Sequence, residues 1–244
     1  AHGVLARYES SAVISNCTFN RVWAVAHCHD SSKLDISNIS ATEIQTGVYA
    51  LGSSRIEMSR SNLSGFGAYG IGMGSFHCSS VFGYGIILRN FCIGVQANWN
   101  SDFHFHQALD YAADGVTPTN VQNGLIENCV NGINTWFYSG GNTANLSIRS
   151  SSSHAIVVGQ SSNVHACTNV TVDGADIGYY AVHTSCLIAN DSIARNCRGV
   201  AYYSSNKSEV HAANTSKNLS GNAAGYSPGS SSVLGNMDSV VYFS

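Results

Sequence analysis

Charge is what this chain has least of. Lys, Arg, Asp and Glu make up 10% of its 244 residues, against about a quarter in an average soluble protein. The 11 basic residues are scattered, and the net charge is −3. Nucleic-acid binding needs a basic stripe, so it is not expected. Proline is nearly absent, at Pro118 and Pro228 only, which excludes a Pro-rich disordered tract. No apolar run approaches the ~20 residues of a membrane-spanning helix, and no membrane insertion is expected. Neither a signal peptide nor an initiator Met is present, so the chain reads as a piece of a longer protein.

Apolar content is nevertheless an ordinary 44%. Ser, Asn, Thr and Gly supply the polarity that charge does not. Those residues favour turns and sheet surfaces and serve a helical bundle badly. A small residue followed by an apolar one then recurs along the chain. Gly47-Val48, Gly70-Ile71, Gly94-Val95, Gly115-Val116, Gly132-Ile133, Gly199-Val200 and Gly225-Tyr226 carry it, with Ala24-Val25, Ala155-Ile156 and Ala181-Val182 between them. The steps are 23, 23, 24, 21, 17, 23, 26, 18 and 26 residues. A period in this range is the signature of a solenoid.

Short alternating segments fit the same scheme. Leu34-Asp35-Ile36-Ser37, Ile56-Glu57-Met58-Ser59, Leu146-Ser147-Ile148-Arg149 and Val170-Thr171-Val172-Asp173 each alternate apolar and polar residues, as half-buried strands do. A coil of about 22 residues is too short for a strand–helix–strand crossover, which takes roughly 30. The expected fold is therefore all-β: a parallel β-helix of about ten coils over residues 1–226, each coil rising ~4.8 Å above the last. Residues 227–244 read as a loop and terminal strand that cap the rod or contact another chain. Asn16, Asn38, Asn62, Asn90, Asn128 and Asn196 are candidates for an amide ladder along the rod, or for ordinary turn positions.

Eight cysteines could signal disulfides. The recurring pairs Asn16-Cys17, Asn128-Cys129 and Asn196-Cys197 point instead to reduced thiols stacked in a core, as expected of a protein folded in a reducing cytoplasm. His27-Cys28-His29-Asp30 has no second Cys/His pair at zinc spacing nearby, and neither a metal nor another cofactor is expected.

Several coils resemble those of bacteriophage tailspikes and tail fibres. They are the coil from Val210 to Pro228, Gly199-Val200-Ala201-Tyr202-Tyr203, Ile188-Ala189-Asn190-Asp191-Ser192 and Asn169-Val170-Thr171-Val172-Asp173. The pattern is also similar to the wider pectate-lyase-like group of right-handed, single-stranded β-helices. The resemblance implies a parallel homotrimer on the virion tail, joined to the rest of the tail. It implies a bacterial surface polysaccharide as partner, bound and in many members cleaved.

The segment from Gln96 to Tyr138 holds most of the candidate site residues. Alternation along Asp102-Phe103-His104-Phe105-His106 turns the two Phe inward and sets Asp102, His104 and His106 outward. Trp99 lies five residues past Gly94 and Trp136 four past Gly132. That register predicts two rings on one side of the rod, two coils or ~10 Å apart, suited to stacking on sugars, with Tyr138 beside them. Core or trimer packing is the competing use of both tryptophans. Three copies of His104 and His106 around an axis would offer six imidazoles to a metal, although a plain surface pair is the simpler reading. Glycoside hydrolysis takes two carboxyl groups about 5–9.5 Å apart; Asp110, Asp114 and Glu127 are the candidates. A lyase would draw its base from His104 or Tyr111, with Arg89 as the nearby cation. Binding without cleavage, cleavage, and a purely structural shaft or adhesin are the three functions carried forward.

Overall fold

Alternation sets the local structure. In Lys33–Ser37 the side chains of Leu34 and Ile36 are buried while Asp35 and Ser37 face outward, and Arg55–Ser59 repeats the pattern with Ile56 and Met58 inside. A strand of this length cannot bury its apolar face alone. The chain solves the problem by stacking each strand on its own copy one coil later, in register. The computed structural model describes residues 2–67, 69–112, 117–166 and 169–212, with backbone alone at 111, 166, 224–228 and 233–235. It is an all-β, right-handed parallel solenoid of about nine turns, with no helix among the described residues.

Three parallel sheets run the length of the rod, with 10, 10 and 8 strands. The first contains Ala24–His29, Thr46–Leu51, Ile71–Phe76, Ile93–Asn98 and Asn131–Trp136. The second contains Lys33–Ser37, Arg55–Ser59, Ser80–Tyr84 and Asp102–His106, and the third Ser40–Ile44, Asn62–Gly65, Ile87–Arg89 and Gly124–Glu127. Side chains from all three meet in one apolar column along the axis. Parallel pairing continues through Ala224–Pro228 and Val233–Gly235, past the expected end of the β-helix at residue 226.

The register corrects the repeat. Ala24 pairs with Thr46, Val48 with Met73, Ile71 with Ile93, Ile93 with Asn131, Ile133 with Ile156 and Ile177 with Val200. Coils therefore take 22 to 25 residues, except for one of 38. That coil carries an antiparallel hairpin, Ala108–Tyr111 with Pro118–Gln122. The supposed anchor Gly115 falls between those strands, outside the described residues. The steps of 21 and 17 residues were one coil with an insertion; with the strand His2–Ala6 added at the start, the ten strands of the first sheet make about nine turns.

The glycine column exists for close approach. A Cβ on Gly47 would lie 2.1 Å from the Gly72 carbonyl oxygen, one on Gly72 2.6 Å from that of Gly94, and one on Gly94 2.6 Å from that of Gly132. Gly72 and Gly178, not Gly70 and Ala181, belong to this column.

Corners are built by paired left-handed residues. Between the first and second sheets, two consecutive residues have φ between +51 and +65° in coil after coil: Asp30 and Ser31, Gly52 and Ser53, His77 and Cys78, Trp99 and Asn100, Phe137 and Tyr138, Gln160 and Ser161. The N–H of the second donates to the carbonyl of the first in the following coil, as in Cys78 to Trp99 (3.0 Å) and Asn100 to Phe137 (3.0 Å). A serine always follows: Ser10, Ser32, Ser54, Ser79, Ser101, Ser139, Ser162, Ser185 and Ser208. Its buried hydroxyl accepts the N–H of the serine one coil before it, as in Ser32 to Ser54 (3.2 Å), Ser54 to Ser79 (3.1 Å), Ser79 to Ser101 (3.2 Å) and Ser101 to Ser139 (3.2 Å).

The asparagine expectation holds only in part. Asn16, Asn38, Asn90, Asn128 and Asn196 are all left-handed corner residues, but in two different corners. Asn38 donates to Asn16 (3.3 Å), while Asn90 bonds Ser64 and Asn196 bonds Asp173. Asn62 lies in a strand and accepts from Arg89. A second amide rung, Asn169 to Asn145 (2.9 Å), was not foreseen. Cys28, Cys129 and Cys197 are buried, and burial pushes the thiols of Cys129 and Cys197 up to about 11, so both stay protonated.

Replacing Ser101 with Ala removes the acceptor for the buried Ser79 N–H. We expect Ser101→Ala to lose about 1–3 kcal/mol of unfolding free energy. Ser53→Ala, at an exposed corner position without that role, should lie within about 0.5 kcal/mol of wild type. Urea unfolding followed by circular dichroism measures both; equal stabilities for the two variants would remove the serine column's structural role.

Candidate functional site

The first corner carries an unusual set of side chains. Non-glycine residues adopt the left-handed region at a cost of order 1–3 kcal/mol; Gly, Asn, Asp and His adopt it most readily, and bulky Trp and Phe least. Three successive coils nevertheless put His77, Trp99 and Phe137 there, with Tyr138 following Phe137. The rings lie parallel: His77 on Trp99 at 4.6 Å and 3°, Trp99 on Phe137 at 5.5 Å and 7°. They stay exposed, Trp99 at 43% and Tyr138 at 71%. Stacked one coil above another, the rings cover one another's faces and present their edges as a ridge along the rod.

This ridge borders the outer face of the first sheet, which is also aromatic. Phe76 touches Trp99 (6.1 Å), Tyr49 touches Phe76 (5.8 Å), His27 touches Tyr49 (3.9 Å), and His2 and Trp23 close the series around His27. Between them runs a groove of about 320 Å³, lined by Trp23, Tyr49, Leu51, Ile71, Phe76 and Trp99. His27 is buried in this band, and its Nε2 has no hydrogen-bond partner among the described residues. Burial, reinforced by His2, His29 and Arg7, pushes it down to about 3.

The two tryptophans stand otherwise than expected. Trp136 pairs with Asn98, and the residue stacked over Trp99 is Phe137. Trp99 and Trp136 therefore belong to adjacent coils rather than two coils apart, because the chain between them makes one 38-residue coil; their one-position offset past Gly94 and Gly132 sets Trp99 in the corner and Trp136 at the end of the strand. The ring of Trp136 lies on the sheet face over Gly159, where a Cβ would come within 2.4 Å of it, and its indole N–H donates to Asn134. Tyr138 is on the ridge.

Asp102, His104 and His106 face outward from the second sheet, with Phe103 and Phe105 buried, as alternation requires. His104 stacks on Phe82 (4.7 Å), over which Arg55 lies at 4.1 Å. His104 and His106 share the amide oxygen of Asn142, at 2.9 and 2.5 Å. Burial lowers His106, partly opposed by that hydrogen bond. Asp102 stays exposed. This row and the aromatic ridge occupy opposite sides of the serine corner.

The candidate carboxylates are not brought together. Asp110 sits in the hairpin, paired with Arg60 at 2.6 Å and with Asn120. Glu127 sits in the third sheet, paired with Arg89 at 2.9 Å. No contact joins Asp110 to Glu127 among the described residues. Asp114 and the side chain of Tyr111 lie outside them.

Sequence reasoning missed Trp23, Tyr49, Phe76, His77 and Phe137. A signal existed for the ridge: His77, Trp99 and Phe137 each stand two residues before a serine of the spine. No protein-family model matches the chain, and no characterised protein matches it. The functional reading therefore rests on the site.

His27 supplies a pH prediction. Its folded pKa lies below the ordinary 6.5, so its contribution is complete above pH 6.5 and is lost as pH falls toward 3. Unfolding free energy should drop by roughly a few kcal/mol between pH 7 and pH 4, and His27→Phe should remove a large part of that drop. Urea midpoints at the two pH values test this; an identical drop in both proteins would show that His27 does not carry it.

Proposed function

We propose that this chain is a glycan-binding β-helix, and that it serves as the receptor-binding part of a bacteriophage tailspike or tail fibre. In that reading it acts as a homotrimer on the virion tail and engages the capsule or O-antigen of the host. The supporting observation is the ridge of His77, Trp99 and Phe137. Bulky aromatic residues occupy corner positions that Gly, Asp or Asn would fill more cheaply, and their edges remain open to solvent while their faces stack on one another. The exposed edges of this stack, with the tilted rings of Phe76 and Tyr49 beside it, offer apolar surface to the C–H faces of sugar rings. The groove between Trp23 and Trp99 extends that platform across several coils, long enough for a chain of sugars. The fold is compatible with a polysaccharide-binding spike or a depolymerase.

Binding without cleavage is the better-supported of the two. Asp110 and Glu127 each have an arginine partner rather than a second carboxylate at the spacing hydrolysis uses. One rival has an observation of its own. Ile71, Ile93, Ile177 and Val200 also face outward on the first sheet, and an apolar face of this kind suits contact between copies.

The test is a panel of purified capsular and O-antigen polysaccharides with wild type, Trp99→Asn and Phe137→Asn. Loss of a stacked ring costs about 1–3 kcal/mol, so each variant should bind the recognised glycan about 5–100-fold more weakly. Because Asn suits the left-handed corner, each should be at least as stable as wild type. Unchanged glycan affinity would refute the reading. Variants that lose only their state of association would favour the contact between copies.

A further inference from the structure

Near the far end of the described rod, three ligating side chains converge on the outer face of the second sheet. Glu209 and His211 are alternate residues of Glu209–His211, so they project from the same face. Cys186, in Cys186–Ile188, is the register partner of Glu209 one coil earlier. Their ligand atoms lie within 4.8 Å of one another, and His211 Nε2 is already 3.1 Å from Glu209 Oε2.

The electrostatics of this spot differ from the rest of the surface. In the other ion pairs among the described residues, the carboxylate partner is an Arg or Lys: Arg21, Lys33, Arg55, Arg60, Arg89 or Arg195. Glu209 has a histidine instead, the one side chain whose charge ordinarily disappears near neutral pH. A carboxylate, an imidazole and a thiol without a permanent cation form a set that a divalent ion completes.

We propose that Cys186, Glu209 and His211 bind a zinc-class transition-metal ion. Sulfur and nitrogen beside a single oxygen suit Zn²⁺ or Co²⁺, whereas Mg²⁺ and Ca²⁺ take oxygen ligands. Bond lengths of about 2.0–2.3 Å put tetrahedral ligand atoms roughly 3.3–3.8 Å apart. Side-chain rotation of about 1 Å closes the present spacing to that value. The thiol proton leaves to solvent as sulfur ligates. Three protein ligands leave a fourth position for water or an incoming donor. The ion would clip two successive coils together from outside, independently of the glycan ridge.

The test is titration of the reduced, metal-free chain with Co²⁺, reading the thiolate-to-cobalt charge-transfer absorption. We expect one equivalent to saturate the signal and Zn²⁺ to displace it. Cys186→Ser should abolish the band, and His211→Ala should weaken Co²⁺ binding at least tenfold, both with unchanged circular dichroism. Zn²⁺ should also protect Cys186 of the wild type from iodoacetamide, read by peptide mass. An absent band, a band that survives in Cys186→Ser, or Cys186 alkylation unaffected by Zn²⁺ would each overturn the proposal.

Discussion

The structure depends on one repeated hydrogen bond, from the backbone N–H of a corner serine to the hydroxyl of its counterpart in the next coil. The two left-handed residues before it turn the chain from the first sheet to the second. The turn takes the serine N–H out of the regular ladder and into the interior. A buried donor without a partner would cost about 1–3 kcal/mol in every coil. The hydroxyl satisfies it, and the serine carbonyl accepts from the residue after the next serine, as with Ser79 and Asp102. The corner therefore fixes register as well as direction. A slip of one residue would also turn Leu34, Ile56, Val81 and Phe103 from the core to solvent.

Function is read from what this corner presents. With register fixed, a residue two places before the serine always projects from the same edge. Asp30, Gly52, Gln160 and His183 occupy it in some coils, and His77, Trp99 and Phe137 in three successive ones. Side chains the backbone conformation disfavours have been set in a row where they bury little. The scaffold supplies the spacing and the stiffness, so the platform needs little ordering when it meets a ligand.

The solenoid was legible because core packing imposes alternation in each strand and a near-constant coil length. Leu34, Ile56, Leu146 and Val170 all lie where alternation put them. The spacing was less legible because Gly and Ala were taken as its markers. The close approach that excludes a Cβ at Gly47, Gly72 and Gly94 is not kept in every coil, and Ala155 and even Val25 stand in that column. The serine is the stricter marker, since a hydroxyl at that point has few substitutes. Its steps show one interruption, between Ser101 and Ser139. Reading Gly115 as an anchor hid that insertion and put Trp99 and Trp136 two coils apart where the structure has one. The outward row of Asp102, His104 and His106 needed only local alternation and was read correctly. Contacts such as Arg60 with Asp110 depend on how the hairpin folds over neighbouring coils, which local pattern does not encode.

The account turns on whether sugar rings lie along the aromatic edge of the rod. Diffraction from crystals soaked with an oligosaccharide of the recognised host polymer tests this most directly. We predict pyranose density along the exposed edges of Trp99 and Phe137 and continuing toward Phe76 and Tyr49. Density confined to another face, or an aromatic edge sealed against a neighbouring copy with no sugar bound, would contradict it.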